Sequence, residues 1–417
     1  SMQRVRNPPG RINDFLPMPA WPEDELLPPP KLIPVLAHVL WQRARDVKLW
    51  STIEPAKRRG LFRYQPHTIP CPEPLTDALQ CLDALIRAPQ TSVPDEIAAA
   101  CERISRWAEG EGHVRLARSY AEAWANVVPF SAQAAATAGG YCTRLADDSR
   151  AELWLQRAVR LARRSRDWEW YIRAFLRLGI LRFNLGDYHR ARRYYLRAYR
   201  KAVWAGYSGL AGKARHDLMT ICTDVGAFDL GIDYALEVLV RYPANDPVFP
   251  YFVHDFAFLL AQAGHYEYAS PLLHAALDHI PEHRRLLIYG TLARTAAALG
   301  DREQFEIFAT RVIEKARISE EGAAAAFVRL ADSARQFSEW EQAERFAGRA
   351  LEIAYRRHEG QPQRLACQVM DRVAVRDSSV TTRPLRHAIP TLLPSFLARL
   401  RKHYAPGELA GALTKVP

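Results

Sequence analysis

One helix–turn–helix pattern recurs along this chain every few dozen residues, and it constrains the fold more than any other feature. Its clearest copy spans residues 171–202, YIRAFLRLGILRFNLGDYHRARRYYLRAYRKA. In its first half Phe175, Leu178, Gly179 and Phe183 follow at steps of three, one and four, which is one face of a helix. Residues 184–187 break the period, and Gly186 can take the positive φ that ends a helix. In the second half Ala191, Tyr195, Ala198 and Ala202 follow at steps of four, three and four. Small residues at Gly179, Ala191 and Ala198 allow two backbones to approach, with aromatics filling the gaps. The turn has counterparts at Gly226, Gly264 and Gly300, with weaker copies at Gly112, Ala146 and Ser338. Successive separations are 34, 40, 40, 38, 36 and 38 residues. A small residue marks each second helix, at Ala117, Ala151, Ala191, Gly231, Ala269 and Ala343; Phe305 is the exception. Three copies end in proline, at Pro129, Pro243 and Pro281.

This pattern resembles the tetratricopeptide repeat: an aromatic, then Leu-Gly, then Gly-Asp-Tyr, then Ala, an aromatic and Ala at these separations. The resemblance implies an all-α, right-handed α-solenoid of helical hairpins, with about seven units over residues 95–357. Most units exceed the family's usual length of about 34 residues. They look closer to the long repeats of bacterial signal-responsive regulators than to those of chaperone adaptors. Each unit buries its apolar face only against its neighbours, so the array needs no single globular core.

Composition agrees with a folded protein, at 48 % hydrophobic and 25 % charged residues. No run of eighteen apolar residues exists, which argues against a membrane span. Residues after Met2 lack the apolar stretch of a signal peptide, and the six scattered cysteines show no paired metal spacing. Buried free thiols and a cytoplasmic location are expected.

Residues 2–94 hold 16 of the 28 prolines and stand outside the repeat. The segment to Pro30 reads as an extended arm, with Ile12, Phe15, Trp21, Leu26 and Leu27 interleaved among the prolines. Such an arm docks either along its own array or on a partner. Residues 31–50 read as an amphipathic helix, followed by the basic Lys57-Arg58-Arg59 and a proline-rich link over 66–74. Two helices near 76–86 and 95–109 lead into the array. After it, residues 358–417 read as capping helices and tail: a linker over 358–363, a helix over 364–375, a polar loop over 377–383 and a basic amphipathic helix over 394–404.

Charge is unevenly spread. Residues 150–201 carry 15 Lys and Arg against four acidic residues, a net +11 equal to that of the complete chain. Arg190, Arg193, Arg197, Arg200 and Lys201 lie within about 100° on one helix, beside the core sector. Arg157, Arg160, Arg163 and Arg164 form a similar stripe one unit earlier. On the convex side of an array they make a basic surface, either simply solvated or attracting an acidic protein or nucleic-acid backbone. The resemblance implies a concave groove lined by the first helices. Its outward positions here are Arg173, Arg177, Asn184, Lys213, His216, Thr220, His254, Arg294, Arg329, Asp332 and Arg335. Arg173 and Arg177 match two basic positions of the chaperone adaptors' carboxylate clamp, but Glu102, Arg106 and Thr137 stand where its lysine and asparagines belong.

No phosphate-cradling loop, His-Glu-x-x-His or nucleophile elbow is present, and Gly139-Gly140 lies inside a repeat where close packing explains it. The expected function is a non-enzymatic scaffold or ligand-sensing regulator, without cofactor or metal. It binds a peptide, protein or small acidic ligand in the groove through forked guanidinium contacts. The alternative is a nucleic-acid-associated transcriptional regulator using the basic 150–201 surface.

Overall fold

The computed structural model describes residues 75–87, 93–243, 245–380 and 382–403. The proline-rich arm, the helix over 31–50, the basic triplet and the link over 66–74 lie outside the described residues. Among the described residues there are seventeen α-helices and no strand. They fall into two compact units, one up to Arg177 and one from Leu178. The first holds α1 Thr76–Arg87, α2 Pro94–Gly110, α3 Val114–Val127, α4 Ala132–Arg144, α5 Asp148–Ser165 and most of α6 Trp168–Asn184. The second continues through α7 Tyr188–Trp204, α8 Ser208–Val225, α9 Phe228–Arg241, α10 Phe249–Gln262 and α11 Tyr266–Leu277. After these come α12 Leu286–Ala298, α13 Arg302–Ile318, α14 Ala323–Gln336, α15 Trp340–Arg356, α16 Gly360–Ala374 and α17 Ile389–His403.

All seven turn residues read from the sequence have positive φ, including the two that are not glycine, Ala146 at 58° and Ser338 at 61°. Between hairpins the same geometry returns at Arg166, Gly206, Gly322 and His358. From Ala146 through Arg166, Gly186, Gly206 and Gly226 a left-handed stop therefore falls every twenty residues. Helices of 17 or 18 residues fill the intervals. That explains the long repeat: both helices of a hairpin run close to five turns, and both are closed by a residue whose N–H folds back onto the helix end.

Packing follows the small residues. On α7 the buried positions are Ala191, Tyr195, Ala198 and Ala202, the sector expected from spacing alone. Tyr195 fills the space left by Gly179, where an added Cβ would lie 2.2 Å from its Cε1. We expect Gly179→Ala to cost about 1–3 kcal/mol of stability by overpacking, despite alanine's better helix propensity. A thermal melt unchanged from the parent protein would contradict this. In the first unit Gly139 plays the same part, its Cβ position lying 2.7 Å from Leu155 Cγ.

Two C-terminal elements differ from expectation. The linker expected over 358–363 is already helical from Gly360, because Pro362 sits in the first turn, where backbone N–H groups have no intrahelical acceptor. The last helix begins at Ile389, with Pro394 inside it, since Ile389, Phe396 and Leu400 continue one buried stripe. Phe396 stacks on Phe256 of α10 at 4.5 Å, and Arg399 donates to the carbonyls of Leu239 (2.7 Å) and Tyr242 (2.9 Å) at the end of α9. The second unit's core thus extends well past residue 357. The start of α16 also reaches back to the first turn of this unit. There a Cβ on Gly360 would lie 2.5 Å from the Leu185 carbonyl oxygen, and Arg364 donates to the Tyr188 hydroxyl at 2.7 Å.

Candidate functional site

In the first unit α2, α4 and α6 bring a cationic aromatic cluster together. Trp170, Arg173 and Arg177 lie at steps of three and four on α6, hence on one face. The guanidinium carbons of Arg173 and Arg177 stand 5.4 and 5.7 Å from the Trp170 ring centroid. Arg173 Nε donates to Glu169 at 2.8 Å, with both side chains well exposed. Arg177 has no such carboxylate: its enclosed Nη1 meets no acceptor among the described residues. Burial lowers its basicity and Arg173 adds to that, while Tyr141 and Glu109 work the other way. Gly140 on α4 makes room for it, since a Cβ there would lie 3.2 Å from Arg177 Nε. Beside it Glu109 accepts the Tyr141 hydroxyl at 2.7 Å and Arg144 Nη1 at 3.0 Å. Two guanidinium groups therefore share one indole, with a single carboxylate bonded to the outer one. Physically, this is a place short of negative charge.

In the second unit most of the expected groove residues are held by partners within the unit. His216, 1 % exposed, bridges Tyr242 Oη (3.0 Å) and Asp255 Oδ2 (2.8 Å). His254 bridges Asp255 Oδ1 (2.9 Å) and Thr291 Oγ1 (3.1 Å). Burial opposes the ionised form of Asp255, but the two imidazoles hold its carboxyl far below the usual range. Arg329 donates to Thr291 Oγ1 and the Leu287 carbonyl at 2.7 and 2.6 Å. Its pKa is brought down to about 10 by burial first and Arg294 second. Asp332 receives Arg335 at 2.7 Å and lies 2.9 Å from Arg294 Nε. Lys213 pairs with Asp217 at 2.7 Å, and Thr220 donates to the Asp217 carbonyl. Asn184 is half-buried. His216, His254, Asp332 and Arg335 are thus interior groups.

The basic stripes separate by burial. Arg160 and Arg164 in the first unit are exposed, as are Arg190, Arg193, Arg197 and Arg200 in the second. Lys201 is half-buried, its Nζ 3.5 Å from the Trp204 ring centroid. Arg157 departs from expectation: it is 4 % exposed and donates to the Pro129 carbonyl at 2.7 Å. Its position turns it under the loop before α4, away from the stripe.

Sequence reading missed Trp170, Tyr141 and Glu109 in the first unit, and Asp255 and Thr291 in the second. Trp170 was findable, being three residues before Arg173 on the same face. Asp255 adjoins His254, but its pairing with His216 on another helix has no local signal.

The fold is that of a tetratricopeptide-type α-solenoid. Among solved structures the chain is similar to the Rap conjugation gene regulator of plasmid pLS20 in complex with the Phr* peptide. The match has 15 % identity over 78 % of this chain and 96 % of that one, with a TM-score of 0.53. A second similarity, to the TPR2AB domain of yeast Sti1 in complex with pHSP90, has 15 % identity over 67 % of this chain and 99 % of that one. Its TM-score is 0.27. No protein-family model and no curated protein sequence matches the chain.

Proposed function

We propose that the protein is a non-enzymatic peptide- or protein-binding regulator whose first unit takes an acidic or carboxylate-bearing segment at Trp170, Arg173 and Arg177. The observation that carries this reading is the half-buried Arg177 guanidinium, which has lost hydration without gaining a bonded carboxylate. An incoming carboxylate would supply the missing counter-charge, and Trp170 would cover the adjoining apolar part of the ligand. The ligand-binding groove is accordingly assigned to α2, α4 and α6, while most of the second unit's polar residues are engaged internally. That the Rap regulator of like fold was solved with a peptide fits this reading. Among the described residues no helix is long and apolar enough to cross a membrane.

Fluorescence polarisation with a panel of labelled acidic peptides bearing free C-termini tests the proposal. Arg177→Ala should weaken binding by about 1.5–3 kcal/mol, the worth of a charged hydrogen bond, with Arg173→Ala smaller because Glu169 already shares its charge. Affinities unchanged in the Arg173→Ala, Arg177→Ala double variant would refute the site.

A further inference from the structure

Helix α7 holds a feature that the peptide reading leaves unused. None of its seventeen residues is acidic, and no Asp or Glu occurs anywhere from Tyr188 to His216. Arg190, Arg193, Arg197 and Arg200 are exposed along it, over about 15 Å of helix. Arg190 lies 3.4 Å from Asp187 just before the helix, where Asp224 also accepts the Tyr188 hydroxyl at 3.2 Å. Arg190, Arg193, Tyr194 and Arg197 together line a shallow depression. Beyond the last arginine, Val203 and Trp204 are 50 and 69 % exposed, and Lys201 covers the indole on one side.

We propose that this face binds single-stranded nucleic acid, with backbone phosphates on the arginines and an unpaired base against Trp204. A stripe of guanidinium groups suits phosphates laid end to end, and a large exposed indole beside it suits a base with a free π-face. The opposite side of α7 is packed through Ala191, Tyr195, Ala198 and Ala202, which leaves the arginine stripe on the outer side of the helix. A single strand lying along that side reaches the arginines and has unpaired bases to offer Trp204, which a duplex keeps stacked in its interior. A carboxylate-rich polypeptide would satisfy the arginines too, but a nucleic acid adds a flat base that stacks on the exposed indole.

The test is fluorescence anisotropy of the full chain with a fluorescein-labelled 15-mer of thymidine between about 50 and 300 mM salt. Each phosphate contact should contribute about −0.7 to the slope of log affinity against log salt. Arg193→Glu with Arg197→Glu should flatten that slope by about 1.4 and weaken binding at least about 10-fold at low salt. The milder Arg193→Gln, Arg197→Gln pair should act in the same direction, which guards against misfolding of the charge-reversed protein. Trp204→Ala should weaken binding roughly 5- to 100-fold and leave the slope unchanged. Three results would overturn the proposal: no binding at 50 mM salt, a slope indifferent to both pairs, or tighter binding of a 15-mer of glutamate under the same conditions. The last would assign the face to an acidic protein.

Discussion

Replacing Glu122 by alanine should destabilise the first unit by about 3–5 kcal/mol, because it strands a cation in the core. Glu122 and Arg150 are each 3 % exposed. The carboxylate accepts Arg150 Nε, Arg150 Nη2 at 3.0 Å and the Trp154 indole N–H at 3.0 Å, and Cys142 Sγ approaches it at 3.6 Å. These groups come from α3, α4 and α5, so one carboxylate ties three helices together. Alanine removes the counter-charge and both hydrogen-bond acceptors while Arg150 stays buried. Glu122→Gln keeps the shape and one acceptor and should cost less. Pairing Glu122→Leu with Arg150→Met should recover most of the loss, because it removes the stranded charge as well. Hydrogen exchange of the α3–α5 amides, with a urea melt, measures the effect. Protection factors unchanged in the single alanine variant would rule out a structural role for this pair.

The fold was legible because its signal is local and repeated. Each hairpin needs only a stop, a small residue and an apolar stripe, and seven imperfect copies reinforce one another. Gly179 and Tyr195 illustrate this: the steps of three and four put them on facing stripes, and they meet. The second set of stops was less legible. Arg166 and His358 hold left-handed conformations with no glycine to announce them, so the twenty-residue rhythm of the central helices did not show in the residue types. The start of α16 was hidden by Pro362, which reads as a breaker although the first helical turn accepts it.

The site was half legible, for a physical reason. Outward positions on the first helices can be listed from spacing, but spacing does not say whether a polar side chain there faces solvent or the next helix. In the second unit it is mostly the next helix. His216 meets Asp255, His254 meets Thr291, and Arg294 meets Asp332, at separations of 39, 37 and 38 residues. These separations are one repeat. Polar residues one repeat apart on successive first helices are therefore candidates for pairing with each other before any ligand. Arg177 is different: its neighbour one repeat back is near Gly140, which has no side chain to answer it. The gap in that pattern is what marks the candidate site.

In the second unit the Asp332 carboxylate gathers three arginines. Its Oδ1 accepts Arg335 Nε at 3.0 Å and Nη2 at 2.7 Å, Arg294 Nε stands 2.9 Å from Oδ2, and Arg372 is 3.7 Å away. Arg335, 1 % exposed, in turn donates to the carbonyls of Asp377 and Ser379, which anchors the segment leading to α17. Asp332→Ala should cost about 3–5 kcal/mol, since it leaves two buried guanidinium groups without their carboxylate. It should also loosen residues 377–383, so trypsin should cut after Arg376 sooner than in the parent. Acidity gives a second reading of the same group. Burial pushes the Asp332 carboxyl up, but Arg294 and Arg335 together hold it below its ordinary value. A carboxyl with a depressed folded-state pKa contributes stability that is present above its unfolded value, near pH 4, and lost as pH falls through the folded one. The parent protein should accordingly lose stability steeply below about pH 4, and Asp332→Ala should flatten that limb. Equal acid limbs in the two proteins, measured by thermal melts from pH 3 to 7, would show that the three arginines do not depend on this carboxylate.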